Sequence, residues 1–111
     1  MNDVVDVTTI RQLNDQLRHS LRGGVLVTTA GVRALGEARQ LEILKAVAEF
    51  DRFDADNDPY GEHDFGSVEL GTDRLFWKID YYDQALTSHS PDPADPTLTK
   101  RVLTIMLAEE Y

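Results

Sequence analysis

Residues 54–65 read DADNDPYGEHDF, and they hold the densest chemistry in the chain. Asp54, Asp56, Asp58, Glu62 and Asp64 are carboxylates, and His63 stands among them. Hard oxygen donors at this density can hold a divalent cation. An EF-hand loop starting at Asp54 takes ligands from its first, third and fifth places, and Asp54, Asp56 and Asp58 supply those. Its sixth place needs glycine for a sharp turn and holds Pro59. Its twelfth needs a bidentate glutamate and holds Phe65. An EF-hand is therefore disfavoured, while a looser calcium or magnesium site from the same oxygens stays open. A transition-metal or hydrolytic centre would draw on Glu62, His63 and Asp64, with Asp80 across a hairpin. On an extended strand Glu62 and Asp64 share a side that His63 does not, which weakens that set. Acid/base work by His63 with Asp64 or Asp80 needs hydrogen-bond reach and a tuned pKa. The plain alternative is a histidine that fixes a loop by bonding to a carboxylate.

Charge narrows the classes. The 111 residues carry 20 Asp and Glu against 11 Lys and Arg, a net charge of −9. Such a surface repels a phosphate backbone, so direct nucleic-acid binding is disfavoured. Cationic partners, divalent metals and protein surfaces that normally grip nucleic acid remain. With no cysteine, disulfides, thiolate zinc sites and cysteine nucleophiles are ruled out. No secretory leader and no apolar run of about 18 residues is visible, which points to a cytoplasmic protein. Gly23 and Gly24 lack the Lys-Ser/Thr of a phosphate loop, and Ser67 lacks the second glycine of a nucleophile elbow. Trp77, Phe76, Tyr81 and Tyr82 could stack bases, but at this charge they read as core and sheet-face packing.

The elements that must position these residues follow from periodicity. Residues 1–6 read as a loose terminus. Thr8 or Thr9 caps a helix whose stripe is Ile10, Leu13, Leu17 and Leu21, with Arg11, Asp15, Gln16 and Arg18 toward water. Val25–Val27 is a short strand, and TTAG leads into a tight turn. A second helix spans Gly36 to Phe50, with Leu41, Leu44, Val47 and Ala48 on one face. DNDPYG is a loop. DFGSVELG and RLFWKIDYYD form a hairpin around GTD, the second strand placing Leu75, Trp77, Ile79 and Tyr81 on one side. SPDPADP forbids a regular ladder. From Asp95 or Thr97 a last helix carries Leu98, Val102, Ile105 and Met106 to Glu109, where two acids oppose its dipole. The order α-β-α-β-β-α gives one α+β domain over 1–111, a small, mainly antiparallel sheet packed on about three helices.

A tight hairpin brings the loops on either side of it to one end of the sheet. Asp54, Asp56, Asp58, Glu62 and Asp64 then share a pole with Asp83, Asp92 and Asp95. That pole is the expected binding surface for a basic partner.

The runs NDPYGEHDFG, FWKIDYYD, SPDPADP and VLTIMLAEEY resemble those of an uncharacterised family of short proteobacterial proteins, often borne on plasmids and other mobile elements. The resemblance covers about Ile10 to Tyr111. It implies a setting of plasmid maintenance and evasion of host restriction or CRISPR immunity, and it brings no catalytic residues. The expectation is a non-enzymatic, cofactor-free binding module, an anti-defence or regulatory protein docking a host nuclease or CRISPR component. Its alternative is a divalent-metal protein or metal-dependent hydrolase on the GEHD segment. An apolar last helix and an aromatic strand leave a homodimer open.

Overall fold

The computed structural model describes residues 3–111, with side chains from Asp6 onward. Helix α1 spans Asp3–Ser20, strand β1 Gly24–Thr28, helix α2 Ala30–Arg33 and helix α3 Glu37–Glu49. Strands β2 (Phe65–Leu70), β3 (Asp73–Tyr82) and β4 (Lys100–Leu107) follow, and a 3-10 turn covers Ala108–Glu110. The sheet order is β1-β4-β3-β2. β1 runs parallel to β4, while β4–β3 and β3–β2 are antiparallel. The protein is thus α+β, with a mixed sheet of mainly antiparallel pairing.

The hairpin forms as its alternation dictates. Leu75, Trp77, Ile79 and Tyr81 are buried toward the helices, and Phe76, Lys78 and Asp80 lie half-buried on the other face. Leu70 pairs with Asp73 around a two-residue turn, where Gly71 takes φ +62°, a left-handed value that glycine adopts without strain. Gly66 packs its bare Cα against the Trp77 indole, in space that a Cβ would occupy.

The last long element is a strand, not the expected helix. Arg101, Leu103 and Ile105 alternate into the core, and Met106 is buried on the opposite face. A run that carries apolar residues on both faces, as Val102 and Met106 sit opposite Leu103 and Ile105, shows helical spacings too, so periodicity alone misreads it. The β-branched content of VLTI favours strand. Its position between β1 and β3 spends the surface that a last helix would have offered to a second copy.

Smaller corrections concern the helices. α1 already runs from Asp3, so the loose terminus is helical over 3–6, and residues 1–2 lie outside the described residues. Arg18 is buried rather than wet. α3 turns Ile43 and Val47 inward, whereas Leu41 is 62% exposed. The TTAG segment opens α2, with Thr29 Oγ1 accepting from the Val32 N–H as a helix cap. The awkward final acids have a use: the Glu110 carboxylate accepts from Thr29 Oγ1, the Gly31 N–H and the Leu107 N–H. These bonds, led by that from Thr29, hold its pKa below the usual value. No helix among the described residues is long and apolar enough to cross a membrane.

Candidate functional site

The GEHD segment lies against α1, which presents Arg11, Asn14 and Asp15 to it at helical spacing. Arg11 donates to the Gly61 carbonyl at 3.0 Å. Asn14, fully buried, donates Nδ2 to the Glu62 carbonyl at 3.0 Å and to the Tyr81 hydroxyl at 2.8 Å. Its Oδ1 accepts from Arg101 Nε at 2.9 Å. The Tyr81 hydroxyl donates to Glu62 Oε1 at 2.7 Å. Burial, then the bond to Glu62, push the Tyr81 pKa far up, so it stays a neutral donor. Arg101 lies over the Tyr81 ring at 5.2 Å and donates to the Pro93 carbonyl, reaching the proline loop. Burial lowers its pKa from the ordinary arginine value.

His63 belongs to an adjoining group. Its Nδ1 lies 2.9 Å from Asp15 Oδ1, and its Nε2 lies 3.7 Å from Asp58 Oδ2. Its ring stacks on Phe53 at 3.7 Å and 4°. Its backbone takes φ +56°, and its N–H donates to Asp58 Oδ1 at 3.2 Å. Asp15 also pairs with Arg18 at 3.0 Å. Arg18 in turn caps the end of α3, donating to the carbonyls of Val47, Ala48 and Phe50. Its guanidinium lies 5.3 Å from the Phe53 ring centre and 5.2 Å from that of Trp77. Within this group His63 bonds to Asp15 and Asp58 and Arg18 to Asp15, with the Arg18 Nε left unpaired, and the plain consequence is a fixed loop.

The metal candidates point apart. Glu62 faces Tyr81, His63 faces Asp15 and Asp58, and Asp80 pairs with Lys78 at 3.1 Å. Among the described residues no three His, Cys, Asp or Glu side chains are grouped to hold a metal ion. Asp64 and Asp80 line a cleft of about 290 Å³ with Tyr82 and His89. Burial, then the neighbouring Glu62 charge, raise the Asp64 pKa above the ordinary carboxylate value.

The predicted acidic pole divides in two. Asp58 is buried and Glu62 is engaged, so neither offers a free surface charge. Asp54, Asp83, Asp92 and Asp95 instead close Asx-type turns. Asp54 Oδ1 accepts from the N–H of Asp56 and Asn57, and Asp92 Oδ1 from Ala94. Asp95 Oδ1 accepts from the N–H and hydroxyl of Thr97. Asp83 holds the N–H and hydroxyl of Thr87. The Thr87 and Thr97 bonds lower the pKa of Asp83 and Asp95. Asp56 is exposed, with its backbone N–H in the Asp54 turn. One loop enters β2 and the other leaves β3 at the same end of the sheet, as the hairpin register requires.

The buried polar residues Asn14, Arg18 and Arg101 were not among the sequence candidates. For Asn14 a signal existed: it falls on the stripe of Ile10, Leu17 and Leu21. For Arg101 none did, because a strand was read as a helix.

No curated protein and no solved structure matches the chain. The family described as a protein of unknown function (DUF3768) matches residues 28–110, which include every strand but most of β1. The chain belongs to that family.

Proposed function

We propose that this protein is a non-enzymatic binding module that docks a basic, nucleic-acid-binding surface of a partner protein. The observation that carries the reading is how the carboxylates are divided. Asp58 and Glu62, beside His63 and Tyr81, are engaged in internal bonds that fix the loop. Those at Asp54, Asp92 and Asp95 each use one oxygen on a local turn and leave the other without a partner among the described residues. Charges held at fixed positions lose little entropy when they meet a cationic surface, and they speed encounter. A mobile-element protein that occupies a nuclease or CRISPR component in place of nucleic acid is the specific version of this role.

The test is affinity capture from the host with the folded protein as bait, followed by binding measurements on each captured partner. A partner whose affinity falls with salt, and falls again in the triple variant Asp54→Asn, Asp92→Asn, Asp95→Asn, supports the reading. Affinity that is indifferent to salt and to the variant overturns it.

A further inference from the structure

Strand β2 is an edge, and its hydrogen-bond parity fixes which groups point outward. The Ile79 N–H donates to the Asp64 carbonyl at 2.8 Å, and these residues continue the register that pairs Phe65 with Lys78. In an antiparallel ladder bonded and non-bonded pairs alternate. Gly66–Trp77 and Val68–Leu75 are therefore bonded pairs, and Phe65, Ser67 and Glu69 turn their N–H and C=O away from β3. None of these outward groups has a partner among the described residues. The same residues line a groove of about 590 Å³, bounded on its other side by Phe50, Arg52 and Asp54. The loop that flanks this edge thus leaves room beside it.

Proteins usually blunt or cover such an edge, because it templates another strand. From the outward parity and the groove together, we propose that β2 accepts an extended basic segment of the partner as a fifth strand. Strand addition supplies backbone hydrogen bonds, and alternate side chains of the incoming strand read the walls. Here one wall offers Phe65, whose ring packs 5.4 Å from Phe76 and 5.9 Å from Tyr111. Asp54 and Glu69 border the groove with Arg52 the single cation there. A segment alternating Lys or Arg with apolar residues matches both. A second copy of this chain would bring net charge −9 and the same two carboxylates against their own kind. The inference rests on the basic-partner reading and names the route by which that partner engages.

The probe is a synthetic heptapeptide alternating Lys and Val, titrated into ¹⁵N-labelled protein at low salt. The expected result is shifted, exchange-protected amides at Phe65, Ser67 and Glu69. Ser67→Pro removes one outward N–H and no ladder bond, so it should keep the fold and weaken binding about tenfold or more. Ser67→Ala should bind as the parent does. A peptide N-methylated along one edge, tested on the unaltered protein, should lose binding in the same way and does not depend on the proline variant folding. Shifts away from β2, or equal binding by Ser67→Pro and by the methylated peptide, overturn the inference. If binding then still falls in Asp92→Asn, Asp95→Asn, the docking reading survives without the edge. If edge binding is unmoved by salt, the strand route stands and charge docking fails. A dimer in sedimentation velocity that Ser67→Pro abolishes would make the occupant a second copy and overturn the basic-segment proposal.

Discussion

The two acidic loops share a composition of aspartate, proline and turn formers, yet they are ordered by different means. Residues 50–64 close turns of their own at Asp54 and Asp58 and are held from outside as well: Arg11, Asn14, Asp15 and Arg18 reach them, or the end of α3 that leads into them, from a helix far away in sequence. Residues 83–99 are held mostly from within, by turns at Asp83, Asp92 and Asp95 and by the Ser90–Thr99 hydroxyl pair at 2.7 Å. Gln84 spans the loop to the carbonyls of Thr97 and Thr99, and Arg101 of β4 reaches the Pro93 carbonyl. Local turns order a loop whatever the rest of the fold does, whereas long-range side-chain ties order it only when the whole domain is assembled. The first loop should therefore melt with the domain, and the second should tolerate loss of any single carboxylate.

The sharpest way to break this contrast is Asn14→Ala. It strips a buried acceptor from Arg101 and a donor from Tyr81, and should cost about 3 kcal/mol in urea unfolding. A loss below about 1 kcal/mol would mean that the first loop holds itself. Arg18→Lys comes next. A lysine ammonium has no second nitrogen for Asp15 and no planar guanidinium beside Phe53 and Trp77, so about 2 kcal/mol should be lost. Hydrogen exchange should then quicken at residues 50–64 before residues 83–99.

Asp64→Asn should stabilise modestly. The folded pKa of Asp64 is raised, so the native state disfavours the ionised form. No penalty exists below the unfolded value of about 3.9, and it sets in as pH rises through the folded value. The advantage of the variant should therefore be absent in acid and present at neutral pH, in melts run across that range. A constant advantage would assign the effect to packing. Smallest of all, Asp95→Asn should leave the urea midpoint unchanged, because asparagine closes the same turn. A clear drop would mean that the second loop is tied to the domain more tightly than its contacts indicate.

What the sequence made legible tracks the same division between local and distant causes. The β2–β3 hairpin was readable because alternation and a glycine turn are local. The convergence of both loops at one end followed from it. The role of His63 was open between chemistry and loop fixation, and its partner Asp15 lies 48 residues away, beyond any spacing rule. Arg18 was placed in water because charged residues usually are, and only the end of α3 gives it a reason to be buried. β4 was misread because a run with apolar residues on both faces has no diagnostic period. That error hid Arg101 and, with it, the link between the two loops.

The central place of β4 has a consequence for how the chain assembles during synthesis. β1 emerges early and, among the described residues, pairs with β4 alone, and the hairpin gains its second neighbour from β4 as well. Until residue 107 has been made, the nascent chain holds a lone strand and an isolated hairpin, each with an open side. Folding must therefore wait for a long-range closure that spans most of the chain, which is slow and leaves strands exposed meanwhile.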